Sequence, residues 1–266
     1  MKKTKRYVVR NEDCRKTIKH MKQKGIKVDC VITSPPYNTS RGVSTTEEME
    51  KRKSKYKYYK DNKPFEEYKH FIVSIVNKLD DVVKDNGTII MNISYASSVE
   101  IGMICSNLIE LLHDIIIQTD FDVADIICWK KKSALPNNRS SNKCTRICEF
   151  VFVLCRKDEY STFRSNKKLV NRNEEKNLNF YSNMFNFIEA PNNDGKNPYN
   201  NATYSVEFVH NLLQMYVQDN SIVYDCFGGT CTTAVACKME NRNIKCICSE
   251  IDKEQCEYGK ERLRHG

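Results

Sequence analysis

The sequence lacks the long apolar runs that membrane proteins need. No stretch approaches the roughly 18 consecutive apolar residues of a membrane-spanning helix. The basic residues at the amino terminus are not followed by the apolar core of a secretory leader. We therefore expect a cytoplasmic protein whose 13 cysteines are reduced thiols rather than disulfides.

The cysteines and histidines also lack the spacing of a metal site. The chain has no CxxC pair and no cluster among its five histidines. Zinc sites generally draw on such pairs, so we expect no metal. The short cysteine spacings are Cys144-x3-Cys148, Cys226-x4-Cys231 and Cys246-x-Cys248.

Positive charge is present in excess and is clustered. Lysine and arginine number 43 against 34 acidic residues, a formal charge of +9. The densest run extends from Lys51 to Lys60 and alternates cations with tyrosines. This composition suits phosphate contact combined with base stacking, although a solvated surface loop would have the same composition.

Hydrophobic periodicity predicts one α/β domain with a doubly wound, mostly parallel sheet. Strands are predicted at 28–33, 88–93, 123–129, 150–154, 221–224 and 245–249. Helices are predicted at 65–83, 99–112 and 205–217, the first of them stopped by Asn86-Gly87. From 158 to 203 the periodicity disappears, which predicts an inserted, substrate-facing region.

A rigid polar turn, Thr33-Ser34-Pro35-Pro36-Tyr37-Asn38, follows the first apolar run. The two prolines fix φ and donate no backbone hydrogen bond, and each restricts the residue before it. The carbonyls of Ser34 and Pro35 are therefore expected to face outward. Together with the Ser34 hydroxyl they can accept hydrogen bonds from an exocyclic amine, and Tyr37 can stack on the ring. Alone, the motif would also suit a turn that merely closes a strand.

A second constellation, Asp225-Cys226-Phe227-Gly228-Gly229-Thr230-Cys231-Thr232-Thr233, follows a later strand. A strand ending in Asp, a Gly-Gly turn and a helix together present a cofactor at the carboxyl edge of an α/β sheet. Glu250, at the end of the next predicted strand, is placed for ribose hydroxyls. The P-loop pattern is missing because no lysine follows the glycines, so a nucleoside cofactor is favoured over a bare phosphate.

Together the two motifs resemble those of the amino-methylating DNA methyltransferases that use S-adenosylmethionine. Thr33 to Asn38 is similar to their catalytic (S/D/N)PP(Y/F) motif, and Asp225 to Thr233 to their cofactor motif DPFxGSGTT. The catalytic motif comes first, which resembles the permuted β-class of restriction-modification enzymes. RNA and protein methyltransferases with NPPY usually have the reverse order. Segments 11–14, 87–92, 129–130 and 149–154, with Pro136 and Arg146, also resemble family segments.

The resemblance implies a Rossmann-like methyltransferase fold in which 1–157 is the catalytic half, 158–203 the target recognition region and 204–266 the cofactor-binding half. It implies base flipping and direct methyl transfer by a catalytic group made of Ser34, Pro35, Pro36 and Tyr37. The cofactor-binding residues that it implies are Asp13, Cys14, Asp225, Phe227, Gly228, Gly229, Thr230, Thr232 and Glu250. Phe227 could equally be a core residue, and Asp225 could instead order the turn.

The resemblance also implies double-stranded DNA as partner and a place beside the nucleoid. The predicted DNA-contacting residues are Lys51, Arg52, Lys53, Lys55, Lys130 and Arg146, the last two being equally suited to solvated strand edges. We expect a monomer or homodimer, and a cognate restriction endonuclease is a compatible partner. TSPPY favours N4-cytosine over N6-adenine as the target. A catalytically idle DNA-binding subunit is the alternative from another class.

The cofactor motif departs from the family pattern at Cys226, Thr230 and Cys231, which replace Pro, Ser and Gly. Cys231 lacks the easy access of glycine to positive φ. Either the turn avoids that conformation or cofactor affinity is reduced. We expect the departure to be tolerated, since the small side chain of Cys231 opens a helix.

Overall fold

The computed structural model describes residues 6–38, 63–93, 106–134, 136, 138, 141–142, 144–195, 197–200 and 203–265. Lys51, Arg52, Lys53 and Lys55 lie outside these residues, as does the start of the helix predicted at 99–112. Within the described part, no helix has both the length and the apolar character needed to cross a membrane.

The described strands form an eight-stranded sheet and a separate two-stranded hairpin. The strands are β1 Tyr7–Asn11, β2 Val28–Thr33, β3 Val83–Ile93, β4 Phe121–Lys131, β5 Cys148–Arg156, β6 Leu169–Asn173, β7 Leu178–Tyr181, β8 Phe187–Ala190, β9 Ile222–Asp225 and β10 Lys245–Glu250. The main sheet has the order β1-β10-β9-β2-β3-β5-β4-β8, and its neighbours are parallel except at β3–β5 and β5–β4.

Helices cover both faces of this sheet. They are α1 Cys14–Gln23, α2 Phe65–Asp80, α3 Ser106–Gln118, α4 Val206–Tyr216, α5 Thr232–Met239 and α6 Lys253–His265, with a 3-10 turn at Lys157–Glu159. In β2, Val31 packs with α1 and α2 on one face, whereas Cys30 and Ile32 pack with α4 and α5 on the other. The doubly wound, mostly parallel sheet is thereby confirmed, since successive side chains of a central strand enter two separate cores.

The prediction of a helix at 65–83 is wrong at its carboxyl-terminal end. α2 stops at Asp80, β3 already begins at Val83, and Asn86-Gly87 lies inside that strand. The apolar pattern misled the prediction because Val82 and Val83 are fully buried and so continue the signal of the helix into the strand. Asn86 adopts a positive φ of 58° within β3.

The region 158–203 divides between opposite edges of the sheet. Arg164 bonds Asp29 near the start of β2, and Asn166 bonds the last carbonyls of α4, so the β6–β7 hairpin emerges at the amino edge of the parallel strands. Phe187–Ala190, in contrast, joins the main sheet beside β4. Beyond it, Asn197 and Asn200 contact Thr230 and Gln255 at the carboxyl edge. The lack of periodicity therefore hid a sheet strand, and the region as a whole does not face one site.

A buried carboxylate, that of Asp225, joins the elements that meet at the carboxyl edge. Its Oδ1 accepts hydrogen bonds from Thr33 Oγ1 at 2.8 Å and Phe227 N at 3.1 Å. Its Oδ2 accepts from Tyr204 Oη at 3.0 Å and Thr233 Oγ1 at 2.6 Å. These donors belong to the end of β2, the turn after β9, the approach to α4 and the start of α5. Asp225 therefore holds the ends of β2 and β9 in one arrangement.

We predict that Asp225→Asn changes how stability depends on pH. Burial raises the pKa of Asp225 to about 7, above about 3.9 in an unfolded chain. The protonated side chain thus contributes stability that is fully present below about pH 4 and is lost as the pH rises through about 7. The free energy of unfolding of the wild type, relative to the variant, should fall by up to about 4 kcal/mol over that range.

Denaturant unfolding between pH 4 and pH 8 measures this difference. Asp219→Asn is the control, because the side chain of Asp219 is 69% exposed and should give a nearly constant difference. A constant difference for Asp225→Asn as well would contradict the prediction.

Candidate active site

A cavity of about 410 Å³ opens where β2, β9 and β10 end. The carboxyl edge of a parallel sheet is the usual position of ligand sites in α/β folds. Both predicted motifs line this cavity, together with the segment that follows β1. The lining residues are Glu12, Asp13, Cys14, Arg15, Ser34, Pro35, Pro36, Tyr37, Lys63, Phe71, Asn200, Thr203, Tyr204, Cys226, Phe227, Gly228, Gly229, Thr230, Thr232, Ser249, Glu250, Ile251 and Gln255.

A polar network supports the turn after β2. Ser34 Oγ lies 2.8 Å from Tyr37 Oη, and Asn92 Nδ2 lies 2.7 Å from the same oxygen. Glu149 Oε2 lies 3.1 Å from Asn92 Nδ2 and 3.4 Å from Tyr37 Oη, and Lys131 forms an ion pair with the Glu149 carboxylate. The hydroxyl of Tyr37 is thus anchored in the protein while its residue lines the cavity.

Sequence reasoning missed Asn92, Glu149 and Lys131 as parts of this site. Each lies at or near the end of a strand, and β5 runs antiparallel to its neighbours, so Glu149 near its start lies at the carboxyl edge of the others. The sequence shows only that Asn92 and Glu149 are polar residues beside apolar runs, and the structure buries both of them. Such residues require hydrogen-bonding partners.

A two-point contact between Asn38 and Lys63 closes the other side of the turn. Lys63 N donates to Asn38 Oδ1 at 2.8 Å, and Asn38 Nδ2 donates to Lys63 O at 2.9 Å. Asn38 has φ of 50°, a conformation that asparagine tolerates better than most residues. Asn38 and Lys63, which flank segment 39–62 in the sequence, are therefore held together, and Lys63 lines the cavity.

The turn after β9 brings backbone N–H groups and a carboxylate together. Gly228 N donates to Ser249 O at 2.8 Å, and Gly229 N donates to Glu250 Oε2 at 2.7 Å. Gly229 has φ of 50°, which glycine adopts without strain. Glu250 Oε1 accepts from Asp252 N at 2.7 Å. Burial raises the pKa of Glu250, although these two N–H groups favour its ionised form.

Cys231 does not avoid the left-handed conformation. Its φ is 62° and it caps the start of α5, so the first of the two alternatives for this departure is wrong. The side chain is accommodated because Gly259 of α6 faces it: a Cβ on Gly259 would lie 2.4 Å from Cys231 Sγ. A glycine missing from the turn is thus matched by a glycine in the helix packed against it.

Part of the cavity wall is aromatic. Phe227 lies 6.0 Å from Phe71 between ring centroids and also borders the cavity, so its core and contact roles coexist. Asp13 caps α1 by accepting from Arg15 N at 2.8 Å, and its side chain also pairs with the Arg15 guanidinium. Hydrogen bonding and ion pairing with Arg15 lower the pKa of Asp13.

Three predicted residues do not reach the cavity wall. Asp225 is fully buried behind it, which supports its role in ordering the turn. Lys130 is ion-paired with Glu189 of β8 at 2.9 Å, and Arg146 is exposed ahead of β5. Among the described residues, no group of three or more His, Cys, Asp or Glu could hold a metal ion, and none of the twelve described cysteines is in a disulfide.

The residues of the cavity fit S-adenosylmethionine. The carboxylate of Glu250 suits ribose hydroxyls, and the wall near Phe227 and Ile251 suits a purine ring. The start of α5 suits a carboxylate, since the first N–H groups of a helix lack partners within the helix. A cavity of about 410 Å³ is within the usual size range of cofactor sites.

Several proteins of known structure share the fold of this chain. The chain resembles the M1.HpyAVI–SAM complex (20% identity, TM-score 0.61, covering 97% of this chain and 98% of that one). It also resembles the PvuII DNA methyltransferase (cytosine-N4-specific) (17%, 0.67, covering 98% and 89%). A third similar structure is the putative DNA modification methylase TTHA0409 of Thermus thermophilus, complexed with S-adenosyl-L-methionine (14%, 0.57, covering 97% and 93%). No curated protein matches the chain significantly by sequence.

The model of the DNA methylase family N6_N4_Mtase matches residues 28–261, which include the whole of both motifs. The chain therefore belongs to the N6/N4 DNA methylase family, S-adenosylmethionine-dependent enzymes that methylate exocyclic amines of DNA bases.

Proposed function

We propose that this protein is a site-specific DNA methyltransferase that transfers the methyl group of S-adenosylmethionine to the exocyclic N4 amine of cytosine in a short motif. The observation that carries this proposal is the shared cavity, which the Ser-Pro-Pro-Tyr turn and the Gly-Gly turn line together. The TSPPY sequence favours cytosine, and the similar PvuII enzyme is described as cytosine-N4-specific. N6-adenine is the second candidate, because TSPPYN also occurs among adenine enzymes of the family.

The chemistry requires activation of a weak nucleophile. The lone pair of an exocyclic amine is delocalised into the base, so the amine must be oriented and polarised. Ser34 Oγ and the Pro35 carbonyl accept hydrogen bonds from the two N–H groups of the amine. These bonds orient the lone pair of the nitrogen toward the electrophile. The bound S-adenosylmethionine supplies an electrophilic methyl group on a positively charged sulfur. Because both acceptors belong to one rigid turn, the orientation costs little additional ordering.

The target base reaches this turn only outside the duplex. An amine in stacked, paired DNA is inaccessible to a recessed site, so the nucleotide is flipped out and held. Tyr37 stacks on the flipped base, and its anchored hydroxyl sets the angle of the ring. Lys51, Arg52, Lys53 and Lys55 belong to the segment between Asn38 and Lys63, two residues that contact each other beside the cavity. We propose that these four residues contact phosphates next to the flipped base.

The proposed function also implies where the protein acts and which other enzyme shares its target. Methylation of genomic DNA is carried out where the DNA is, which for a bacterial host is the nucleoid within the cytoplasm. A cognate restriction endonuclease would act on the same motif without having to bind this chain. We also propose that this enzyme belongs to the β-class, because its catalytic motif precedes its cofactor motif in the sequence.

The target base and motif are identified by one experiment. The chain is expressed in a methylation-free bacterial host, and the genome is sequenced for modified bases by polymerase kinetics. We expect N4-methylcytosine in one short motif. N6-methyladenine would transfer the proposal to the second candidate, and an unmodified genome would instead favour a catalytically idle DNA-binding subunit. Ser34→Ala in the same host is the control and should abolish the modification.

Ser34→Ala and Tyr37→Ala should separate catalysis from cofactor binding. Both residues lie on the side of the cavity that faces the base, so turnover should fall by about two orders of magnitude or more while the Kd for S-adenosylmethionine changes less than threefold. Single-turnover methylation and calorimetry measure the two quantities. Ser161→Ala, at an exposed position outside the cavity, should change neither. An equal loss of binding and turnover would show that the turn has only a structural role.

Neutralising Lys51, Arg52, Lys53 and Lys55 to glutamine should weaken DNA binding and flatten its dependence on salt. Each phosphate contact contributes about 0.9 to the slope of log K against log salt concentration, so the slope should fall by about that amount for every phosphate that the variant no longer neutralises. Titrations at several salt concentrations measure it. The matched control replaces the exposed residues Lys19, Lys24, Lys27 and Lys78 and should leave the slope unchanged. If the salt dependence of DNA binding has the same slope in the two variants, the segment 39–62 makes no phosphate contacts through these residues.

A further inference from the structure

The polar groups behind the catalytic turn form a chain whose hydrogen-bond direction is set at one end. That end is the Glu149 carboxylate, which is 8% exposed and ion-paired with Lys131. The Lys131 ammonium pairs with this carboxylate, and a carboxylate only accepts hydrogen bonds. Every group within reach of its Oε2 must therefore present a hydrogen.

Asn92 is the first group oriented by this carboxylate. Its Nδ2 lies 3.1 Å from Glu149 Oε2 and 2.7 Å from Tyr37 Oη, so its two hydrogens are committed to these two oxygens. Its Oδ1 is buried and has no hydrogen-bond partner among the described residues. A flipped amide would satisfy no more groups and would set a carbonyl oxygen against the carboxylate. The orphaned oxygen is thus the consequence of an orientation that Glu149 imposes.

Tyr37 links Ser34 to this network and sets the direction of the hydrogen bond that Ser34 makes. Its Oη accepts the hydrogen of Asn92, and its own hydrogen points to Glu149 Oε2 at 3.4 Å. The remaining acceptor capacity of Oη takes the hydrogen of Ser34 Oγ at 2.8 Å. A serine hydroxyl has only one hydrogen. Ser34 therefore has no hydrogen left for the cavity and faces it with lone pairs alone.

We propose that Glu149, held by Lys131, is a positioning residue that makes Ser34 an obligate hydrogen-bond acceptor. This inference rests on the proposed function, because it states how that site chooses its substrate. A base that presents an amine is accepted, whereas one that presents a carbonyl oxygen at the same position meets lone pairs and is rejected. The site thereby distinguishes cytosine from uracil, or adenine from hypoxanthine, by the direction of one hydrogen bond.

Glu149→Gln should remove the fixed direction of the chain. Lys131 has only hydrogens to offer, so it retains the oxygen of the new amide, and the NH2 group turns toward Asn92 and Tyr37. Asn92 can then turn its Oδ1 toward that NH2 group, and the hydrogen of Tyr37 no longer has a carboxylate to accept it. Ser34 is then no longer confined to donating to Tyr37, and its hydrogen can turn into the cavity, where it opposes the N–H of an amine. Volume and packing at position 149 are nearly unchanged.

The decisive test compares Glu149→Gln with the double variant Glu149→Gln/Lys131→Met, with Lys131→Met as control. We expect Glu149→Gln to lower kcat at least 100-fold while the Kd for S-adenosylmethionine changes less than twofold. Without Lys131 the amide can turn its oxygen toward Tyr37 and Asn92. The kcat of the double variant should therefore be at least tenfold higher than the kcat of Glu149→Gln. A double variant no better than the single one would overturn the proposal, because a merely structural role gives no recovery.

A binding measurement tests the same idea without turnover. Duplexes that carry the target motif are compared with duplexes in which uracil replaces the target cytosine, or hypoxanthine the target adenine. The preference of the wild type for the amino base should shrink at least fivefold in Glu149→Gln. It should shrink similarly in Tyr37→Phe, which keeps the ring but removes Oη. An unchanged preference in both variants would overturn the inference.

Failure of the inference about Glu149 can be distinguished from failure of the proposed function. A wild type that methylates DNA alongside a Glu149→Gln variant within threefold of its activity would refute this inference and leave the proposed function standing. A wild type that transfers no methyl group to DNA would refute the proposed function and the inference together.

Discussion

The arrangement of this protein depends on the hydrogen bonds of one buried carboxylate, that of Asp225. A carboxylate removed from water is costly unless donors replace the lost hydration, and here four donors come from separate elements. One of them, Thr33, immediately precedes the catalytic turn, and Phe227 lies within the cofactor turn. The two motifs are far apart in the chain, yet they follow neighbouring parallel strands, and this single side chain joins the ends of those strands. The distance between substrate and cofactor is therefore a property of the core rather than of the loops.

The cavity wall carries charges of both signs. Glu12, Asp13 and Glu250 line it together with Arg15 and Lys63. Glu12 is paired with Arg10 and Asp13 with Arg15, whereas the carboxylate of Glu250 accepts from Gly229 N and Asp252 N. Burial raises the pKa of Glu250, so a ligand hydroxyl that donates to it would help to stabilise its ionised form.

Much of the fold was predictable because local signals and tertiary structure agree. The strand at Val28–Thr33 was predicted with its observed bounds, since a short apolar run ends at a turn. The end of α2 was not, because the buried residues Val82 and Val83 extend the apolar pattern into the next strand. At the site, both motifs were recognisable as contiguous segments. The supporting group of Asn92 and Glu149 was not, because it is assembled across an antiparallel strand whose direction no local pattern reveals.

The packing of Cys231 against Gly259 ties a residue of the cofactor motif to a residue outside it. A Cβ at position 259 and a thiol at position 231 cannot coexist without a shift of the helix or the turn. Which side chains the motif can hold is therefore decided partly by a helix that lies almost thirty positions further along the chain. A signature motif of this kind is complete only together with the surface against which it packs.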